Sequence, residues 1–392
     1  MALLSIALIA TLTGYGVWES RRHAAQLRRI PIRVHVNGTR GKSSVTRLIA
    51  AGLRAGGIRT FAKTTGTMAR MIRPDGQEFD VYRVGHPNVI EQTRIVRRAV
   101  ETGADALVLE CMAVTPELQP LCELRLVKST VGVITNARAD HLDVMGPTVD
   151  DVAHVLAQTA PVRGVLFTAE RERAPILAAV ARARGGTIEI TDAALVSDAE
   201  LSAFAYFEHA ENVALALAVC GHLGVVRATA LAGMQSARPD PGALQRYTVI
   251  TGLKQVTFVN AFAANDPDST ALIWQRLGFD RPEPGVERII LANCRADRIQ
   301  RSGQIAELIA RTLRADHVVL TGEGTELVAY RAVQNGLPAE RVHDLGGLDP
   351  EGVYEHLLGL VTERADIFGI GNIVGLGEEI VLHFRNRAVS HG

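Results

Sequence analysis

The sequence predicts an α/β protein: an N-terminal transmembrane helix, a central P-loop-type domain on a mostly parallel sheet, and a smaller α/β domain at the C-terminus. Three observations predict it. Residues 1–18 carry no charged side chain, and from residue 32 onward short β-branched runs alternate with stretches of helical period. A glycine-bearing turn at 38–41 joins one such run to one such stretch. At roughly 150 residues per domain, 392 residues suit two domains behind an anchor, divided as 1–30, 31–240 and 241–392.

Taken in order, the first element is residues 1–18, which as a helix would span about 27 Å, enough for a thin hydrocarbon core. Tyr15 and Trp18 sit at the end where amphipathic aromatics favour headgroups, and Arg21, Arg22, Arg28 and Arg29 follow. A signal peptide places its charge first and a cleavage site after the apolar run, so this arrangement is reversed. The positive-inside bias then puts the rest of the chain in the cytoplasm, as a single-pass protein of the cell membrane. A helix packed against the globular body is the alternative. Strands are expected at 32–37, 106–110, 130–135 and 165–168, with helices at 43–55, 149–158, 175–184 and 209–223. A linker with two prolines and a glycine covers 236–244. The alternation then restarts, with strands near 255–260, 289–292, 317–320 and 367–369.

Composition narrows the function. The 42 basic and 42 acidic residues balance, which argues against a protein that coats nucleic acid. Cys111, Cys122, Cys220 and Cys294 are too scattered for a disulfide scaffold or zinc cluster and read as packed, reduced thiols. Lysine occurs only at 42, 63, 128 and 254.

One of those four lysines stands in the strongest chemical signal, Asn37-Gly38-Thr39-Arg40-Gly41-Lys42-Ser43-Ser44. A strand running into a glycine turn that opens a helix can surround phosphate oxygens with backbone N–H groups, and the helix N-terminus adds partial positive charge. Gly38, Thr39, Arg40, Gly41, Lys42, Ser43 and Ser44 are therefore the expected nucleotide-binding loop, with Lys42 on the β/γ-phosphates and the Ser43 hydroxyl on Mg²⁺. The loop is shortened: Val36 stands where the full pattern has its first glycine. The strand at 106–110 ends in Glu110, a carboxylate whose burial requires a cation or donors, and Mg²⁺ beside the loop is the natural partner. The next strand delivers Asn136, Asp140, His141 and Asp143 to the same edge.

With Thr64-Thr65-Gly66-Thr67, Thr135-Asn136 and Asp140-His141, these residues resemble the ATP-dependent Mur ligase superfamily. Glu208 to Ala216 is similar to its Asn-bearing helix, Ala263 to Thr270 to its nucleotide-contacting loop, and Asn293 to Arg298 to its Gly-x-Asp-Arg stretch. Within it, Lys63 to Arg70, Leu109 to Val114 and Gly369 to Asn372 resemble the ligase subunits of poly-γ-glutamate synthases. The resemblance implies a Rossmann-like last domain, ATP and Mg²⁺ as cofactors, and formation of γ-amide bonds between glutamates through an acyl phosphate. The partners it implies are glutamate, the growing poly-γ-glutamate chain and small integral-membrane synthase or export subunits; a homo-oligomer is compatible with it.

On this reading Lys42 stabilises the transferring phosphoryl group, Ser43 and Glu110 hold the first Mg²⁺, and His141 reaches the second. Asn212 and Arg246 orient phosphate or acyl phosphate, while Asn265, Asp297 and Arg298 contact nucleotide. Arg246, Asp297 and Arg298 read equally well as surface ion-pairing residues. Two departures stand out. No room precedes residue 38 for a UDP-sugar-binding domain, and no lysine lies between 128 and 254 to be carbamylated for a second Mg²⁺. Either the subgroup arranges that ion differently or holds it more weakly. The competing readings are a ligase adding an amino acid to a small acceptor such as a folate, and a membrane-tethered P-loop ATPase that makes no bond. A plain loop is the expectation for Arg83, His86 and Asn88.

Overall fold

The computed structural model describes residues 2–65, 69–83, 87–204, 206–239, 244–262, 267–296, 299–373 and 375–389. The chain divides into two compact units, Met1–Asp240 and Pro241–Gly392.

In the first unit the strands are β1 (Ile32–Asn37), β2 (Thr60–Lys63), β3 (Arg70–Ile72), β4 (Glu78–Asp80), β5 (Ala106–Glu110), β6 (Val131–Ile134), β7 (Val165–Thr168) and β8 (Thr187–Ile190). They form one sheet in the order β4-β3-β2-β5-β1-β6-β7-β8. From β2 across to β8 the pairing is parallel, while at the other edge β3 runs antiparallel to β2 and β4 antiparallel to β3. β1 sits inside the sheet with two unlike faces: Ile32, Val34 and Val36 alternate with Arg33, His35 and Asn37. The buried polar pair is satisfied there, His35 Nδ1 lying 2.8 Å from Glu123 Oε2 and Asn37 Nδ2 donating to Gln119 Oε1 at 2.8 Å. On one face Val34 and Val36 pack with Leu48, Leu53, Leu215 and Met234. On the other, Leu107 and Leu109 of β5 pack with Leu27, Ile30, Ile95 and Val127.

The helices of this unit are α1 (Ala2–Arg28), α2 (Lys42–Ala55), α3 (Glu91–Glu101), α4 (Leu118–Leu121), α5 (Leu142–Met145), α6 (Val149–Ala157), α7 (Ala174–Ala183), α8 (Asp198–Ser202), α9 (Ala210–His222) and α10 (Arg227–Gln235).

The structure overturns the transmembrane anchor, and with it the single-pass assignment. Among the described residues no helix is long and apolar enough to cross a membrane. The reason lies in composition: freedom from charge is not the same as hydropathy. Before Glu19 the helical run offers about 26 Å, short of a core of about 30 Å. Ser5, Thr11, Thr13, Gly14 and Gly16 dilute it further, the Thr11 hydroxyl donating back to the Ala7 carbonyl at 2.8 Å. The end of α1 docks on the body instead, through Leu27 and the contact between His23 Nε2 and the Leu126 carbonyl at 2.8 Å.

The second unit holds β9 (Gln245–Thr251), β10 (Lys254–Asn260), β11 (Val286–Cys294), β12 (His317–Gly322), β13 (Val342–Asp344) and β14 (Arg364–Gly371), in the order β13-β12-β11-β14-β10-β9. All pair in parallel except β9, which returns antiparallel on β10 at the edge. Its helices are α11 (Pro267–Arg276), α12 (Ile299–Arg311), α13 (Thr325–Gln334), α14 (Pro350–Leu360) and α15 (Leu376–Arg387). Aromatics fill its core, with Phe258 stacked on Phe384 at 4.3 Å.

Three histidines of this unit meet at the β12–β13 edge. His317 Nδ1 lies 3.1 Å from His343 Nε2, and the His343 and His356 rings are 5.2 Å apart. Burial, then the charges of His317 and His356, hold the His343 pKa below its usual value. A depressed folded value means the unfolded chain binds the proton more readily, so this stability is present above about pH 6.5 and lost as pH falls below it. The urea midpoint is expected to drop between pH 7 and 5.5, and less so in His343→Gln. An equal drop in both proteins would refute the assignment.

Candidate active site

The phosphate loop is built from β1, two glycines and α2. Gly38 has φ +132° and Gly41 φ +79°, conformations that side chains resist. Space enforces both. A Cβ on Gly38 would lie 2.0 Å from Thr135 Oγ1, and one on Gly41 would lie 2.7 Å from Asn212 Oδ1. Lys42 then opens α2, and its ammonium folds back over the loop, donating to the Gly38 carbonyl at 2.6 Å and the Thr39 carbonyl at 3.3 Å. Ser44 lies half-buried in the same first turn.

The neighbouring strand end clamps this loop. Asn136 Oδ1 accepts from the Thr39 hydroxyl at 2.7 Å and the Arg40 N–H at 3.1 Å, while its Nδ2 donates to the Arg40 carbonyl at 3.2 Å. The Thr135 hydroxyl donates to the same carbonyl at 2.6 Å, and the Arg138 N–H reaches Thr39 Oγ1 at 3.0 Å. Sequence reasoning placed Asn136 on this edge but missed that it holds the loop's shape.

Glu110 arrives by register. β5 lies beside β1 with Val36 opposite Glu110, so the carboxylate ends level with the loop. It is buried, and its Oε2 accepts from the Ser43 hydroxyl at 2.8 Å and the Thr65 N–H at 2.7 Å. Hydroxyl and carboxylate oxygens are the hard donors Mg²⁺ prefers, and that ion commonly takes one or two protein oxygens, with phosphates and water completing its shell. The pair fits that role. Among the described residues no group of three or more His, Cys, Asp or Glu side chains forms a cage of its own.

Behind Glu110 lies a charged network that the sequence did not reveal. Lys63, at the end of β2, is fully buried, with Nζ 2.7 Å from Glu91 Oε1 and 3.5 Å from Met112 Sδ. Arg83 grips the same carboxylate from its other side, at 2.7 and 3.2 Å. The expected plain loop at Arg83 is thus tied into the core; His86 lies outside the described residues. Burial pushes the Lys63 ammonium down, and the carboxylates of Glu91 and Glu110 restore it only in part. Burial pushes Glu91 up, yet its hydrogen bonds to Arg83 and Lys63 bring it below the usual carboxylate range. The two shifts pull opposite ways on one ion pair. A carboxylate held by two cations at 2.7 Å is ionised, and the pair is formed.

Asn212, in the first turn of α9, is brought against the loop at Gly41 and oriented by Glu208, whose Oε1 accepts from its Nδ2 at 2.8 Å. His141 follows β6 on the same edge in a left-handed conformation, exposed, with Nε2 4.0 Å from Asp140 Oδ1. Asp140 in turn lies 3.8 Å from Arg40 Nη2. Among the described residues no hydrogen bond or ion pair joins His141 to Ser43 or Glu110. Arg246 belongs to the second unit, exposed on the edge strand β9, where its charge opposes the upward push of burial on Asp366. Asn265, Asp297 and Arg298 lie outside the described residues. All four cysteines are free and buried, and burial pushes Cys220 and Cys294 up to about 12.

Residues 36–158 match the family model of the Mur ligase middle domain, and residues 247–387 that of the poly-gamma-glutamate synthase CapB C-terminal domain. The chain is 39% identical over 386 residues to PGA synthase CapB of Bacillus subtilis (strain 168), covering 97% of each protein. It is 38% identical over 372 residues to the capsule biosynthesis protein CapB of Bacillus anthracis, covering 94% of this chain and 79% of that relative. Among solved structures, Mycobacterium tuberculosis folylpolyglutamate synthase complexed with ADP and AMPPCP superposes with a TM-score of 0.67 at 17% identity, over 95% of this chain and 98% of that one. The bifunctional folylpolyglutamate synthase/dihydrofolate synthase of Yersinia pestis complexed with AMPPNP and Mn ion gives 0.66 at 17% identity over 93% of each. At that identity the likeness is one of fold.

Proposed function

The chain belongs to the CapB family of poly-γ-glutamate synthases, and from that premise we propose how its residues divide the work. It is an ATP-dependent amide ligase that acts on glutamate. In our reading the γ-phosphoryl group of ATP passes to a glutamate carboxylate, and the amine of another glutamate displaces phosphate from the acyl phosphate. Phosphoryl transfer is catalysed chiefly by positioning and charge neutralisation. The loop N–H groups of residues 38–44 cradle the phosphates, and Lys42 exchanges its carbonyl contacts for the γ-phosphoryl oxygens. Ser43 and Glu110 hold Mg²⁺, which neutralises phosphate charge when bound. Asn212, fixed by Glu208, orients the transferred group; His141 stands beside the path as a candidate ligand of a second ion. Arg246, Asn265, Asp297 and Arg298 are assigned to acyl phosphate and nucleotide. Small membrane subunits that receive the polymer complete the proposed assembly.

The observation that carries this reading is the 2.8 Å contact between Ser43 and Glu110 at the mouth of the loop. It is tested by phosphate release from ATP with and without glutamate, and by sizing the product. Glutamate-dependent release with a ladder of glutamate-only products supports it; release indifferent to glutamate overturns it. The metal assignment has its own test. Glu110→Gln is expected to raise the Mg²⁺ concentration for half-maximal rate by at least the roughly 10–100-fold that loss of a supporting partner brings. An unchanged Mg²⁺ dependence would remove Glu110 from the metal site.

A further inference from the structure

Past the phosphate loop, the outer turns of α2 open onto a cavity of about 410 Å³, within the range of about 300–1,000 Å³ usual for small-ligand sites. Three guanidinium groups line it, Arg47 and Arg54 from α2 and Arg238 from the segment after α10, against the carboxylates of Asp75 and Glu78 on the β3–β4 hairpin. The carboxylates are already engaged. Glu78 takes both Arg47 nitrogens, at 2.7 and 3.0 Å, and Asp75 accepts the Gln77 N–H at 2.9 Å. Arg54 is left over: its Nη1 is buried and has no hydrogen-bond partner among the described residues. Burial lowers the Arg54 pKa, and the carboxylates of Glu78 and Asp75 do not fully offset that cost. An unmet charged donor in a cavity is an expensive feature, which an entering anion would relieve.

The remaining wall is apolar, formed by Ala51, Ala55, Ile72 and Pro74. Guanidinium forks beside an apolar wall suit a ligand with both carboxylates and methylenes. A γ-linked glutamate chain presents one free carboxylate and two methylenes per residue, whereas inorganic phosphate has no apolar part. Position agrees as well. Arg47 and Arg54 are seven residues apart on one helical face, and Arg54 lies about 18 Å along α2 from Lys42, a distance that a short oligomer bridges.

We propose that this cavity binds the γ-linked glutamate chain behind its reacting end, holding the acceptor while the phosphate loop activates the next carboxylate. The proposal rests on the glutamate-ligase reading above. Chain retention at this cavity would set acceptor affinity and product length without touching nucleotide.

Calorimetric titration of the full chain, without ATP, tests it with three probes: γ-linked pentaglutamate, free glutamate and inorganic phosphate. Pentaglutamate is expected to bind the wild type and to lose about tenfold or more in affinity in Arg54→Gln. Arg238→Gln, at an exposed position, is expected to weaken it in the same direction and guards against a folding defect at Arg54. In turnover, both variants are expected to shorten products and raise KM for the oligomer with KM for ATP unchanged. Pentaglutamate affinity unaltered in both variants overturns the proposal, as does absence of pentaglutamate binding or its displacement by equimolar phosphate. If the wild type binds pentaglutamate in the expected way yet releases phosphate without glutamate dependence, the catalytic reading fails while the binding site stands.

Discussion

Lys42→Ala is expected to reduce glutamate-dependent ATP turnover by at least about a thousandfold, the upper range for loss of one preorganised charge donor in a reacting site. Lys42 is the only lysine in the loop, and its ammonium already lies on the loop's carbonyls, 2.6 Å from Gly38. The substitution removes that charge and its contacts to the Gly38 and Thr39 carbonyls, but leaves the two glycines and the Asn136 clamp that shape the loop in place. Thermal stability should therefore change little while the rate collapses. Lys42→Arg should not restore it, because a planar fork cannot follow the short return from the first helical turn to the loop. Single-turnover phosphate release and a melting curve on the same preparation check both parts. Turnover within tenfold of wild type in a folded Lys42→Ala protein would displace the site from this loop.

The largest stability effect is expected at the buried network behind Glu110. Glu91→Gln leaves Lys63, which has no exposed surface, together with Arg83 and without their shared carboxylate. Breaking a buried pair from one side costs about 3–5 kcal/mol. Lys63→Met is expected to cost less, since Arg83 still satisfies Glu91 from its other side, and methionine fills the space beside Met112. The double substitution Lys63→Met, Glu91→Gln should be more stable than Glu91→Gln alone, because the stranded ammonium is gone. Urea unfolding of the three proteins reads this order. If Glu91→Gln proves the mildest of the three, Glu91 is not the partner that keeps Lys63 ionised.

Much of the site was legible in one dimension. The strands expected at 32–37, 106–110 and 165–168 coincide with β1, β5 and β7, and the helix expected at 43–55 begins one residue earlier. Each strand carries a clear signal, alternating in β1 (Ile32, Val34, Val36) and continuous in β5 (Leu107-Val108-Leu109) and β7 (Val165-Leu166-Phe167), which is why these were legible. Three-residue strands such as β3 and β4 are too short for a period and went unseen, although their hairpin supplies Asp75 and Glu78 to the α2 cavity. The uncharged N-terminus misled for a different reason. The reading counted charges, whereas membrane insertion depends on summed hydropathy, which Ser, Thr and Gly reduce.

The sequence by itself determined the strand–turn–helix of the phosphate loop and the chemical kinds of group around it. Those properties are local: Gly38, Gly41 and Lys42 act within one turn of chain, where spacing dictates geometry. Only the tertiary structure decided which distant groups meet them. Glu110 reaches Ser43 across 67 residues, Asn136 reaches Thr39 across 97, and Asn212 presses on Gly41 from a different helix. Those meetings follow from the strand order β2-β5-β1-β6, which is fixed by the pairing of whole strands and the packing of helices on both faces. The buried partnership of Lys63, Glu91 and Arg83 has the same origin. Local propensity carries no information about a neighbour in the sheet, so the sheet had to form before that network could be seen.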